Sequence, residues 1–153
     1  MPRLKTATPH DAQVLMQLYD LRREPVMRAA RKFMTGEFWP QNYEEFRALM
    51  FEYGTERNAF ARQCLTYWDM AAAMVLHGAI HEDLFFAANN EPYFLFAKYG
   101  DYLPQLRKEY VVPEFLKNWE DLANRPQAKK RVQQLKERVA ARRAAAAAAK
   151  AKQ

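Results

Sequence analysis

The stretch that decides the fold is TERNAFARQCLTYWDMAAAMVLHG, residues 55–78. Thr55 can cap a helix at its start, and no proline or glycine interrupts the stretch before Gly78. Apolar side chains recur at helical spacing and make one face, formed by Phe60, Cys64, Tyr67, Trp68, Ala71, Met74 and Val75. Three consecutive alanines, residues 71–73, allow a neighbouring helix to approach closely. The stretch therefore predicts the central helix of an all-α bundle.

The sequence on both sides predicts further helices that are separated by prolines and glycines. Capping residues or prolines mark the starts of five of them, at Thr8, Glu24, Asn42, Glu91 and Pro113, and a short helix from Ile80 to Ala88 follows Gly78. The segment from Glu91 is long, and Pro104 is expected to bend or divide it. The prediction is a compact bundle of about six or seven helices, followed by a protruding basic C-terminal helix.

Composition supports one helical domain and excludes several classes of enzyme. Val, Ile and Thr together number 13, against 25 alanines and 14 leucines, so strands are disfavoured. Half of the residues are apolar, which suffices for a core. Serine is absent, which excludes a serine nucleophile. The four glycines are widely separated, which excludes phosphate-binding and dinucleotide-binding glycine loops.

Charge divides the chain into a body, residues 1–124, and a tail, residues 125–153. The tail has ten basic residues and one acid, a net charge of +9, whereas the body has 14 basic and 17 acidic residues, a net charge of −3. Val132, Leu135 and Val139 follow a heptad-like spacing that is too weak to dimerise alone. A strongly basic tail suggests an anionic partner, although such a run can also be a solvated surface.

The candidate binding residues all lie in this tail. They are Lys129, Lys130, Arg131, Lys136, Arg138, Arg142 and Arg143. The leading hypothesis is a non-enzymatic interaction or accessory subunit that docks through its basic helix to an anionic protein surface or another subunit. The alternative is sequence-nonspecific binding of nucleic acid, in which these side chains neutralise phosphates. An oligomer is compatible with the 21 aromatic residues, and a membrane-surface role is weaker because the tail has few apolar anchors.

A second alternative is a metal or acid–base site around His77 and His81. Two histidines four residues apart can share a metal on one helical turn, and Glu82 and Asp83 follow directly. Gly78 between them favours a helix end instead, with His77 near the last turn of the central helix. The Glu-x-x-His repeats of diiron bundles are absent. The prediction is therefore no metal site, no other cofactor and no catalytic residue.

Three further features are interpreted as structural. Cys64 is predicted to be a buried small hydrophobic residue, because it lies in the apolar face of the central helix. Asp69 is expected to pair with an arginine such as Arg62 or Arg107. The aromatic run over residues 93–102 is expected in the core, although its rings, interleaved with Lys98, could also stack on bases.

The expected location is the cytoplasm. Met1-Pro2-Arg3-Leu4-Lys5 lacks the apolar stretch of a signal peptide, and the longest apolar run, Met70 to Leu76, is too short to span a membrane. A single cysteine cannot form an intrachain disulfide, which suits a reducing compartment.

Residues 58–123 also share a pattern of aromatic, acidic and glycine positions with known proteins. The pattern comprises residues 58–60, 67–72, 77–84, 106–110 and 115–123. It resembles an uncharacterised bacterial family of small helical proteins that carry a domain of unknown function. The resemblance implies a helical bundle, a bacterial source and no known catalytic residues. This chain departs from the family in having His81, not an acid, after Ile80, and it is expected to do without the membrane anchor with which members often begin.

Overall fold

The computed structural model describes residues 6–153 and confirms the all-α fold, with no strand in this range. The α-helices are α1 (Pro9–Arg22), α2 (Pro25–Lys32), α3 (Tyr43–Phe51), α4 (Glu56–Leu76), α5 (Glu82–Ala88), α6 (Glu91–Tyr99), α7 (Leu103–Tyr110), α8 (Lys117–Ala123) and α9 (Pro126–Ala151). A π-helix, Phe33–Glu37, follows α2, and a 3₁₀ turn, Gly100–Tyr102, follows α6. Residues 1–5, on which the expectation of no signal peptide rests, lie outside the described range.

Helix α4 is the centre of the bundle, as predicted. The hydroxyl of Thr55 accepts a hydrogen bond from the backbone N–H of Asn58 at 3.1 Å, which caps the start of α4. Gly78, in the left-handed region at φ +79°, follows its end. Ala71 and Ala72 are fully buried, and α2, α3 and α8 all pack against α4. The small side chains of α4 therefore permit the close packing that the sequence indicated.

The segment after α2 differs from the predicted continuous helix to Gly36. The chain adopts a π-helix from Phe33, in which the carbonyl of Met34 accepts hydrogen bonds from two side chains of α6. The Tyr99 hydroxyl donates to it at 2.6 Å and the Lys98 side-chain nitrogen at 2.8 Å. In an α-helix this carbonyl would accept a hydrogen bond from a backbone N–H. Here it accepts from the side chains of α6, and these contacts stabilise the wider π-helical turn.

Within residues 6–153, eight α-helices precede α9, compared with the predicted six or seven, because the segment from Glu91 divides into α6 and α7. Pro104 lies in the first turn of α7 and divides the segment, as the sequence indicated. Proline is tolerated at this position because the first N–H groups of a helix have no acceptor within it. Gly100 permits the close approach at the division, because a Cβ there would lie 2.8 Å from the ring of Phe96.

The last helix of the body begins four residues later than predicted. Residues 113–116 form a turn instead of the first turn of a helix, and α8 starts at Lys117. Leu116, just before it, has a left-handed conformation with φ +56°. The prediction at Pro113 was wrong because the start of α8 depends on contacts with α4, described below, and not on the local proline.

Helix α9 follows α8 after a two-residue connection and lies along α6 and α8. Its contact face contains Val132 and Val139, which are 5% and 1% exposed. Leu135 and Ala146 are partly buried in the same core. The heptad-like seam thus packs against the body, and the end of the tail, residues 148–153, is exposed. No helix within residues 6–153 combines the length and apolar character needed to cross a bilayer.

Candidate functional site

Three of the seven predicted binding residues form hydrogen bonds or an ion pair within the molecule. Arg131 donates to the carbonyls of Phe86 at 2.6 Å and Asn89 at 3.2 Å, at the carboxyl end of α5. Its guanidinium carbon also lies 3.4 Å from the centroid of the Phe86 ring. Arginine is favourable here because the end of a helix carries partial negative charge. Arg131 therefore fixes α9 to the body.

Arg143 and Lys136 make two more contacts of this kind. Arg143 donates to the carbonyl of Lys98 at 3.0 Å, in the last turn of α6. Lys136 forms an ion pair with Asp101 at 3.1 Å. With Arg131, these residues use part of the positive charge of the tail inside the molecule.

The other four predicted residues have no carboxylate partner among residues 6–153. Lys129 and Lys130 are exposed on one side of α9, next to Gln133, Gln134 and Glu137. Arg138 and Arg142 lie one turn apart and line a pocket of about 340 Å³ between α9, α6 and the π-helix. The Arg142 guanidinium carbon is 5.0 Å from the centroid of the Trp39 ring. The structure thus divides the predicted surface into a lysine side and an arginine pocket.

A buried lysine lies beneath this part of α9. Lys98 is 2% exposed, and its side-chain nitrogen lies 3.7 Å from the centroid of the Trp39 ring. Burial, together with the nearby positive charges of Arg142 and Arg143, lowers the pKa of Lys98 to about 6. The sequence predicts the aromatic run around Lys98 in the core, with base stacking beside Lys98 as the alternative. The burial of Lys98 excludes that alternative for this residue. The spacing along α6 could have indicated this burial, because Lys98 follows the buried Leu95 by three residues and so lies on the same face of the helix.

The aromatic run of residues 93–102 belongs mainly to the core. Tyr93 and Tyr99 are almost completely buried, and Phe96 is 9% exposed. Cys64 is completely buried, as predicted, and burial raises the pKa of its thiol. These side chains therefore fill the bundle and do not present rings or a thiolate to a ligand.

The structure separates the two histidines that were considered as metal ligands. His77 is the exposed residue at the end of α4, and His81 is the N-cap of α5, where its ring nitrogen Nδ1 accepts from the Leu84 N–H at 3.4 Å. The backbone N–H of His81 donates to the Asp11 carboxylate at 2.9 Å, which ties α1 to α5. Within residues 6–153, no group of three or more potential ligands could hold a metal ion.

Asp69 has a structural role that differs from the expected pairing with arginine. Its carboxylate accepts from the Asn118 amide at 3.2 Å and from the Trp119 backbone N–H at 2.9 Å. It caps the start of α8 from a distant part of the chain. Arg107 instead binds Glu120 at 2.9 Å. A cap of this kind cannot be read from the residues around α8.

Comparison with known proteins extends the resemblance noted from the sequence. Residues 7–125 match the family described as "Domain of unknown function (DUF4760)", a longer segment than residues 58–123. The match covers α1 to α8 and ends at the residue before α9. No curated protein is significantly similar to the chain, and no solved structure is either. The matched segment is most of the chain, and the protein therefore belongs to the DUF4760 family, whose function is unknown.

Proposed function

We propose that this protein is a non-enzymatic interaction subunit of the cytoplasm that docks to an anionic protein surface through the lysine side of α9. The observation that supports this proposal is the pairing pattern of the basic residues. Arg131, Lys136 and Arg143 hold α9 on the body, whereas Lys129 and Lys130 are exposed and have no carboxylate partner within residues 6–153. A helix that is already held in place presents these charges without a further cost in ordering.

An exposed apolar surface supports contact with another subunit. Leu21, Val26 and Met70 are 56%, 52% and 41% exposed, and they belong to α1, α2 and α4. Leu21 and Met70 border the same shallow groove, which Met27 and Tyr67 also line. Clustered exposed apolar side chains are typical of protein-interaction surfaces.

Nucleic-acid binding has less support. Phosphate neutralisation by the tail would use most of its cations, yet three of the seven candidates form hydrogen bonds or an ion pair within the molecule. The aromatic rings that could stack on bases are mainly buried.

The test is a quantitative pull-down from the native cell lysate with full-length protein, with and without nuclease. The charge-reversed variant is Lys129→Glu/Lys130→Glu, and the matched control is Arg28→Glu/Lys108→Glu, which reverses two exposed charges outside α9. Point variants are preferable to removal of α9, because removal would expose the core around Val132 and Val139.

We expect a stoichiometric protein partner that is captured by the wild type and the control and lost with the α9 variant. Equal capture by all three proteins would overturn the proposal. Capture that disappears after nuclease treatment, together with a nucleic-acid absorbance signature in the purified protein, would favour the nucleic-acid alternative. Affinity for nucleic acid would also fall log-linearly with salt concentration.

A further inference from the structure

We infer that the arginine pocket, lined by Thr35, Asn90, Glu91, Phe94, Arg138 and Arg142, binds the phosphate group of a small organic phosphomonoester. The pocket lies where three elements meet, namely the π-helix, the start of α6 and the second half of α9. It uses Arg138 and Arg142 and not the two lysines of the proposed docking surface, so the inference is independent of that function.

The two arginines supply positive charge that the rest of the molecule does not neutralise. Arg138 and Arg142 are four residues apart on α9, so their side chains lie on neighbouring turns of one face. Neither forms an ion pair within residues 6–153. Glu137, the only acid of the tail, borders the lysine side of α9 and not this pocket. Two adjacent guanidinium groups match the oxygens of a phosphate in charge and geometry.

The one carboxylate in the pocket is already bound. Arg31 holds the Glu91 side chain through both oxygens, at 2.9 Å and 2.6 Å. The indole N–H of Trp68 also donates to Glu91 at 3.1 Å. Because this ion pair balances the charge of Glu91, the carboxylate does not compete with a ligand for Arg138 and Arg142.

The start of α6 adds a hydrogen-bond donor to the lining of the pocket. Asn90 is the N-cap residue of α6, and no side chain caps the first turn. The Asn90 amide is exposed and has no partner within residues 6–153. Thr35 forms a wall and not a donor, since its hydroxyl already donates to the carbonyl of Arg31 at 2.7 Å. The Asn90 amide at the start of α6 and the two arginines of α9 therefore line the same pocket.

The volume of the pocket and its apolar wall at Phe94 indicate that the bound phosphate carries an organic group. A volume of about 340 Å³ exceeds that of a phosphate ion and falls in the range of small-molecule sites. Phe94 is partly buried and packs edge-on against Trp39, with ring centroids 6.4 Å apart. Its ring offers an apolar surface beside the arginines. A phosphomonoester with a flat apolar group fits both parts of the pocket.

Phenyl phosphate is the probe for this site, and two-dimensional NMR of full-length ¹⁵N-labelled protein at constant ionic strength is the measurement. We expect saturable shifts at Thr35, Asn90 and the side chains of Arg138 and Arg142. Arg138→Gln/Arg142→Gln should weaken binding by about tenfold or more for each arginine removed. Lys129→Gln/Lys130→Gln is the matched control and should bind as the wild type does.

Each other outcome overturns part or all of the inference. Shifts that do not saturate, or that weaken equally in both double variants, would remove the site. If inorganic phosphate binds as tightly as phenyl phosphate, the pocket does not recognise the organic group, and that part of the inference is wrong. Tighter binding of a single-stranded oligonucleotide through the same arginines would show a polyphosphate site. If the double variant fails to fold, Arg138→Gln alone serves, because Arg138 has no intramolecular partner within residues 6–153.

Discussion

The carboxylate of Asp69 in the middle of α4 accepts a hydrogen bond from the backbone N–H of Trp119, 50 residues further along the chain. This bond provides the first turn of α8 with the acceptor that its own N-cap residue, Leu116, lacks. It also joins the central helix to a helix that packs closely on it. The start of α8 is therefore a property of the α4–α8 contact.

Substitution of Asp69 should destabilise the fold at this contact. Asp69→Ala removes an ionised acceptor from the start of α8, and we expect a loss of about 2 kcal/mol in the free energy of unfolding. Urea denaturation of the wild type and the variant measures this change in the free energy of unfolding. Asp20→Ala, at an exposed position of α1, should change stability by less than about 0.5 kcal/mol. Equal effects of the two substitutions would contradict the capping role.

The two non-glycine residues with positive φ in the described part of the chain, residues 6–153, should respond in opposite ways to substitution by glycine. Val111 and Leu116 both have φ +56°, but Val111 is 82% exposed and Leu116 is 2% exposed. Val111→Gly relieves backbone strain and loses little packing, so stability should rise by roughly 0.5–1 kcal/mol. Leu116→Gly relieves similar strain but loses a buried side chain, so stability should fall by about 1–2 kcal/mol. Thermal unfolding of both variants checks the signs.

The buried lysine should make stability increase with pH. The pKa of Lys98 is about 6 in the folded protein, below its ordinary value of 10.5, so between these values the unfolded chain binds one more proton at this group. The contribution of Lys98 therefore opposes folding increasingly as the pH falls from 10.5 to 6 and is constant below that. The slope is at most about 1.4 kcal/mol per pH unit.

Lys98→Met should remove this slope while keeping the core filled. Met34 would still accept from the Tyr99 hydroxyl, so its carbonyl would not be left unbonded. We expect Lys98→Met to be at least as stable as the wild type at pH 7, with a difference that shrinks towards pH 9. Urea midpoints of both proteins at the two pH values are the measurement. If the difference between the two urea midpoints is the same at both pH values, Lys98 is charged in the folded protein, which would contradict the prediction.

The basic residues of α9 should fall into two groups when replaced by alanine. Arg131→Ala leaves two carbonyls at the end of α5 without their donor and removes the contact with the Phe86 ring, so we expect a loss of about 1–3 kcal/mol. Lys129→Ala should have an effect within about 0.5 kcal/mol. Hydrogen exchange of the α9 amides would show the same division, with faster opening only in Arg131→Ala. Similar effects of both substitutions would contradict it.

Much of the fold could be predicted because the responsible interactions are short in sequence. Thr8 and Thr55 cap α1 and α4 through bonds to residues three positions later, and Gly78 follows the end of α4 with a backbone conformation that glycine favours. Apolar spacing identified α4 as the central helix for the same reason. These are local hydrogen bonds and local geometry, and a pattern of residues encodes them directly.

The properties of the candidate site depend on packing between distant segments. Arg131 and Lys129 are both basic residues of one helix, yet only Arg131 meets the end of α5. Lys98 is buried because α6 lies between the π-helix and α9, and Asp69 caps α8 because α4 passes beside it. Local sequence established where most helices begin and end. The assembled bundle established which charges are neutralised and which remain for a ligand, because those contacts join residues tens of positions apart.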